Sequence, residues 1–254
     1  MQDPLPINCR QVGSGGVMNI DLDAALIALQ DKQKKESPWD DAALHVSDLA
    51  LCKRQVWARR NGVTESYIDL DNWVQMQLGL KYEEIVCAAL DAKGVKYEYQ
   101  VPVKDPIFGH KLIGTADFVF EDAVLDTKTT TFWSGYVGKG DERRKQVKIP
   151  EEPKMGYRIQ AAAYAIALGK PRYGLQVVCR ASGKRVTFWY ETAGLASGIG
   201  KAVVDMQTTT TSDPEPIDAK PPWYTEDADG KSWQCGYCPY AACELNRNES
   251  LQVL

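Results

Sequence analysis

The sequence predicts an α/β domain, and three observations carry that reading. Two short apolar runs, TADFVF and AVLDTK, flank the acidic pair Glu121-Asp122 and read as a tight β-hairpin. Three further strand-like runs lie outside it: KYEYQVPV at 96–103, then RYGLQVVCRA and KRVTFWYE joined through Ser182-Gly183 as a second hairpin. Around these runs, residues 45–60, 71–92, 155–169 and 193–208 show helical spacing or composition.

Composition sets the outer bounds. A chain of 254 residues, 44% hydrophobic and 25% charged, is expected to bury one good-sized core. No apolar run approaches the ~20 residues that span a bilayer, so no membrane partner is expected. The start, MQDPLPINCR, lacks the basic-then-apolar layout of a signal peptide. A cytoplasmic protein with reduced thiols is the expectation, and its seven cysteines then suggest metal ligation or plain burial rather than disulfides. A net charge of −4 argues against a coat of positive potential, yet local patches can still meet nucleic acid. Two such patches are Lys53, Arg54, Arg59 and Arg60, then Arg143, Arg144, Lys145 and Lys148, although either could be a solvated face.

Taken in order, residues 1–40 read as an extension with a glycine-rich break at 13–16 and a short helical pattern near 21–34. In HVSDLALCKRQVWARR, Ser47 is a plausible N-cap, and Leu49, Cys52, Val56 and the stem of Arg60 follow at helical spacing. Cys52 then sits on an inward stripe, most simply as a small core residue, and His45 has no assigned role. In the next helix the stripe is Trp73, Met76, Leu80, Cys87 and Leu90, and the position due between Leu80 and Cys87 is Glu83. A carboxylate there is costly unless it snorkels, pairs with a lysine or binds a metal, which makes Glu83 a candidate metal ligand.

The hairpin at 114–130 carries the most chemistry. Asp126 and Lys128 alternate and so share a face, and Asp117 on the partner strand can reach it. Two carboxylates suit a hard divalent cation, and the lysine can orient a water or offset charge on a phosphate. Such a D-x-K is, on the bland reading, a solvated edge. The long stretch after Lys128 places Phe132, Trp133 and Tyr136 beside arginines and lysines, a mixture suited to stacking and neutralising a single DNA strand. The helix MGYRIQAAAYAIALG sets Gln160 and Tyr164 four apart on one face. Cys179 reads as core, and an acid- and proline-rich connector at 212–222 leads to a cysteine-rich tail. There Cys235-x2-Cys238-x4-Cys243 needs a fourth ligand, for which Cys52 is available. An iron–sulfur cluster or a structural zinc would each fit four cysteines.

These motifs, in the order S-x-L-x-x-C-x-R, G-x-x-x-E, G-x-x-D, D-x-K, Q-x-x-x-Y and C-x2-C-x4-C, resemble the PD-(D/E)XK nucleases over residues 47–243. Among these the chain looks most like RecB-like exonucleases with an iron–sulfur staple, of the CRISPR-associated and phage-encoded single-strand type. The resemblance implies a mixed central sheet flanked by helices, in one nuclease domain over 41–254. It implies that Asp117, Asp126 and the carbonyl of Thr127 bind Mg²⁺ or Mn²⁺, with Glu83 as a further ligand. Lys128 would act on the attacking water, and Gln160 and Tyr164 would position the strand or the lysine. Cys52, Cys235, Cys238 and Cys243 would hold a [4Fe–4S] cluster, with residues 233–245 closing that staple. Trp133, Arg143, Arg144 and Arg54 are candidate DNA contacts. RecB-like members usually carry histidine where Glu83 falls, whereas phage lambda-type exonucleases carry glutamate in a similar G-x-x-Y-E. Aspartate in D-x-K, where glutamate is commoner, shortens the reach to metal by one methylene. The rival expectations are a non-catalytic DNA-binding or adaptation partner with this fold, and a zinc-stapled structural protein.

Overall fold

The computed structural model describes residues 21–36, 40, 42–63, 70–105, 112–130 and 152–211. Contacts divide the chain into two units, 1–38 and 39–254. In the first, α1 (Leu22–Glu36) begins where Asp21 Oδ1 accepts the Ala24 amide at 3.0 Å, and it buries no residue.

The second unit contains β1 (Leu44–His45), a 3₁₀ turn (Val46–Ala50), α2 (Lys53–Arg60), α3 (Leu70–Ala92), β2 (Glu98–Asp105), β3 (Leu112–Val119), β4 (Ala123–Thr130), α4 (Met155–Ala167), β5 (Arg172–Cys179), β6 (Arg185–Glu191) and α5 (Ala196–Thr211). The six strands form one mixed sheet. β2 pairs antiparallel with β3 from Asp105↔Leu112 to Glu98↔Val119. β4 runs parallel to β5 along its full length, and β6 closes that side antiparallel.

A strand has two edges, and β2 occupies one edge of β3. The other edge is therefore shared, with β1 parallel at Leu112 and Ile113 and β4 antiparallel at Phe118 and Val119 only. Residues 114–117 of β3 lie between these two partners.

Helices cover both faces. Paired residues share a face, so Thr129 of β4 and Gln176 of β5 lie on one side. There α3 rests, with Gly79 beside Thr129 and the Tyr82 hydroxyl donating to Gln176 Oε1 at 2.7 Å. On the opposite face, α4 presents four buried alanines at 161, 162, 163 and 165 to the core. Such small side chains let a helix lie close to a sheet. Leu44, Val46, Leu112, Val124, Leu175 and Val203 complete this core.

Three expectations from the sequence need correction here. The stretch from Ser47 is not one helix, because a 3₁₀ turn ends at Ala50 and Cys52 is the N-cap of α2, half-buried outside the helix. Asp48 holds that turn: its Oδ2 accepts the His45 amide at 2.7 Å in a buried bond and the Arg59 guanidinium at 2.6 Å in a half-buried one. The apolar stripe of α3 is not the buried one either. Met76 and Leu80 are 53% and 42% exposed, and α3 buries only Trp73 and Glu83. The sheet beneath is polar there, so α3 is held through Tyr82 and through Gln75, which accepts from Arg180 at 2.8 Å. Finally, most of the first basic patch is already engaged by neighbouring side chains. Lys53 pairs with Asp205 at 2.7 Å, Arg59 with Asp48, and Arg60 donates to Thr210 Oγ1 at 2.7 Å.

Gly114 explains the first half of G-x-x-D. A Cβ there would meet Tyr164 Cε1 at 3.0 Å and Val46 Cγ2 at 3.1 Å, and both neighbours are buried and hemmed in. Gly114→Ala is therefore expected to cost about 1–3 kcal/mol, as overpacking does, measured as a lowered denaturation midpoint.

Candidate active site

The site arises where two strands part. Continued beyond Phe118↔Leu125, the antiparallel register would set Asp117 opposite Asp126, but the ladder stops one rung short. The Thr127 amide donates instead to Asp117 Oδ2 at 2.7 Å, and the Thr127 hydroxyl donates to the same oxygen at 3.0 Å. A side-chain carboxylate thus takes the place of a ladder carbonyl at the mouth of the splay.

Asp126 is fully buried on β4, between buried Leu125 and Thr127. Lys128 projects from the same face, its Nζ 2.6 Å from Asp126 Oδ2. That contact is an ion pair off the axis of a hydrogen bond, and neither Asp126 oxygen accepts an aligned one. Burial pushes the Asp126 carboxyl up to about 7; Lys128 pulls it down and Asp117 pushes it further up. For Lys128, burial works against the charge, but Asp126 and then Asp117 outweigh it and the pKa is raised, so the ammonium stays charged.

Glu83 reaches the same region from α3. It is 8% exposed, and its Oε2 accepts Gln100 Nε2 at 2.7 Å and the Tyr99 hydroxyl at 3.1 Å. Burial, then the Asp117 charge, raise its carboxyl to about 7 against the pull of Tyr99, Gln100 and Lys128. Asp117 and Lys128 are thus neighbours common to Glu83 and Asp126. The acids form a line of neighbours rather than one ligand set: among the described residues no three His, Cys, Asp or Glu side chains are grouped to hold a metal ion.

Across the splay, α4 supplies the second wall. Tyr164 is buried, with Gln160 Nε2 donating to its hydroxyl at 3.4 Å, and burial raises its phenol pKa. Tyr157, on the same helical stripe, lies with its ring 5.8 Å from Lys128 Nζ and 5.9 Å from Lys154 Nζ. The sequence reading passed over Tyr157, although its place three residues before Gln160 was a usable signal. It also passed over Tyr99 and Gln100, for which periodicity offers no signal. Arg54 lies half-buried on α2. Trp133, Arg143, Arg144, Cys235, Cys238 and Cys243 lie outside the described residues.

The donors present suit a hard divalent cation. A buried carboxylate lacking aligned donors is costly by itself, and a cation would relieve it. Mg²⁺ is ordinarily held by only one or two carboxylates together with water and substrate phosphate, so Asp117 and Asp126 meet its protein requirement.

The six-stranded mixed sheet, the helices on both faces and the position of D…D-x-K at the splay make an α/β fold of the kind expected from the sequence. In that fold the chain is similar to the crystal structure of SSO0001, with a TM-score of 0.58 at 14% identity over 87% of this chain and 95% of that one. Looser overlaps occur with an alkaline exonuclease from Laribacter hongkongensis (TM-score 0.49, 12% identity, 67% of this chain and 89% of that one). A phage-related exonuclease from Haemophilus somnus overlaps similarly (TM-score 0.46, 11% identity, 66% and 92%), and neither of these two carries an inference. No family model and no curated protein matches the sequence.

Glu83, which has no cationic partner in contact, prefers its protonated form in the folded chain up to about pH 7. Between the usual carboxylate range and about 7 the folded state therefore binds more protons than the unfolded one, and stability falls as pH rises. In EDTA, the melting temperature should drop by several degrees from pH 5 to pH 8, and Glu83→Gln should flatten that slope in a fluorescence melt.

Proposed function

We propose that this chain is a metal-dependent DNA exonuclease, hydrolysing phosphodiester bonds of single-stranded DNA or DNA ends in phage or prokaryotic recombination, repair or CRISPR adaptation. One observation carries the reading: a wholly buried Asp126 without aligned hydrogen bonds, placed with Lys128 at the splay that exposes Asp117. Asp117, Asp126 and the Thr127 carbonyl would hold Mg²⁺ or Mn²⁺, with Glu83 adjoining through Asp117. When bound, the ion supplies a polarised phosphate and a water of lowered pKa.

The chain's own groups do the rest. Lys128, kept charged by two carboxylates, offsets charge that develops on the phosphate. The Tyr157 ring lies against that ammonium and limits its swing. Tyr164 and Gln160 form the wall along which the strand or the lysine is positioned. Thr127, through its amide and hydroxyl, fixes one oxygen of Asp117 and so orients the other. Trp133, Arg143, Arg144 and Arg54 are assigned to the DNA strand on their residue types.

Cys52, Cys235, Cys238 and Cys243 are assigned to a [4Fe–4S] cluster of structural role, with zinc as the alternative metal. The spacing of the three C-terminal cysteines supports this, as does Cys52 standing at a helix N-cap rather than in the apolar core. Purified protein should be brown and contain iron; colourless protein with stoichiometric zinc would reverse the choice of metal.

The deciding experiment uses DNA strands labelled at the 5′ or 3′ end. Cleavage should require Mg²⁺ or Mn²⁺ and vanish in excess EDTA. Asp126→Ala should abolish it, and Lys128→Ala should lower it by about 10²–10³-fold, with DNA binding still measurable in both. Cleavage that persists in EDTA would sink the metal role; binding without cleavage under every metal condition would favour a non-catalytic DNA-binding partner.

A further inference from the structure

Gln100 is the sole non-glycine residue with positive φ among those described, at 53°. It lies inside β2, where a regular strand would keep φ strongly negative. The β2–β3 ladder skips it: Tyr99 pairs with Phe118 and Val101 with Ala116, while the rung between them, Gln100 opposite Asp117, is missing. A backbone distortion in the left-handed region therefore sits directly across from the central carboxylate of the site.

The side chains show what the distortion does. Tyr99 and Gln100 are consecutive, and on a regular strand they would point to opposite faces. Both nevertheless donate to the same atom, Oε2 of Glu83, at 3.1 and 2.7 Å. Turning the backbone at Gln100 breaks the alternation and brings both donors to one side. Neither bond involves Oε1, so one oxygen anchors the carboxylate and the other is left for a ligand. Strain held inside a strand, beside a site, persists only where its surroundings over-determine it.

We propose that Gln100 is a positioning residue which, with Tyr99, holds Glu83 beside Asp117 so that its second oxygen can reach the divalent cation through the ion's water shell. This rests on the metal-centre reading above and adds the device that orients its third acid.

Mn²⁺ binding to the full chain, followed by the loss of the free-ion paramagnetic resonance signal, tests this beside thermal melting. Gln100→Gly removes the amide yet accepts the backbone angle, so its melting temperature should equal or exceed that of the wild type. Its Mn²⁺ affinity should nonetheless fall about tenfold, the scale of one hydrogen bond to a charged group. Tyr99→Phe, which leaves the backbone alone, should weaken binding in the same direction. In a Glu83→Gln background, Gln100→Gly should have no further effect, because its influence passes through that carboxylate. Wild-type affinity in Gln100→Gly and Tyr99→Phe, with Glu83→Gln weakened, would overturn the positioning role and leave the metal centre standing. An equal loss from Gln100→Gly in both backgrounds would overturn it too. Absence of Mn²⁺ binding by the wild type would remove the metal centre and the positioning role together.

Discussion

Everything at this site depends on β3 leaving β4 after two rungs. Had the ladder continued, Asp117 and Asp126 would have become cross-strand neighbours with their backbones paired, and like charges directly opposite destabilise a sheet. Parting the strands turns that liability into a cleft. It frees the Thr127 amide for Asp117, gives β1 room on the vacated edge of β3, and lets Tyr164 approach the backbone at Gly114. β4 loses nothing in order, because its pairing with β5 runs from Ala123 to Thr130.

Electrostatics at the cleft follow from that geometry. Two carboxyls rise to about 7 chiefly because they are buried, and the Lys128 ammonium remains charged because Asp126 and Asp117 outweigh its desolvation. Such opposed environments are typical of sites that handle charged ligands. The same burial makes the bare acids a cost to the folded state, so a cation bound there would stabilise fold and site together.

The support around the cleft is unevenly apolar. On the α4 side, alanines and Tyr164 form a dry core that fixes the wall. On the α3 side, contact is made through Tyr82, Gln75 and Gly79 on a polar stretch of sheet, leaving Met76 and Leu80 open. Glu83 is therefore carried by a helix with few dry contacts, which is why its orientation depends on hydrogen bonds from β2.

Local chemistry sufficed for much of this protein. Alternation along 123–130 put Asp126 and Lys128 on one face and four-residue spacing paired Gln160 with Tyr164, and both hold in the fold; Glu83 is buried as expected, although Met76 and Leu80 of the stripe that singled it out are not. Periodicity reports only the side a residue presents, and that is a property of the segment itself. The tertiary structure decided what periodicity has no access to: how far β3 and β4 stay paired, which charges are spent internally, and where a backbone breaks its own alternation. Arg59 looked like a surface cation until Asp48 claimed it, and Gln100 looked like any strand residue until its φ turned positive opposite Asp117. Such outcomes are set by partners distant in sequence, and a single segment carries no record of them.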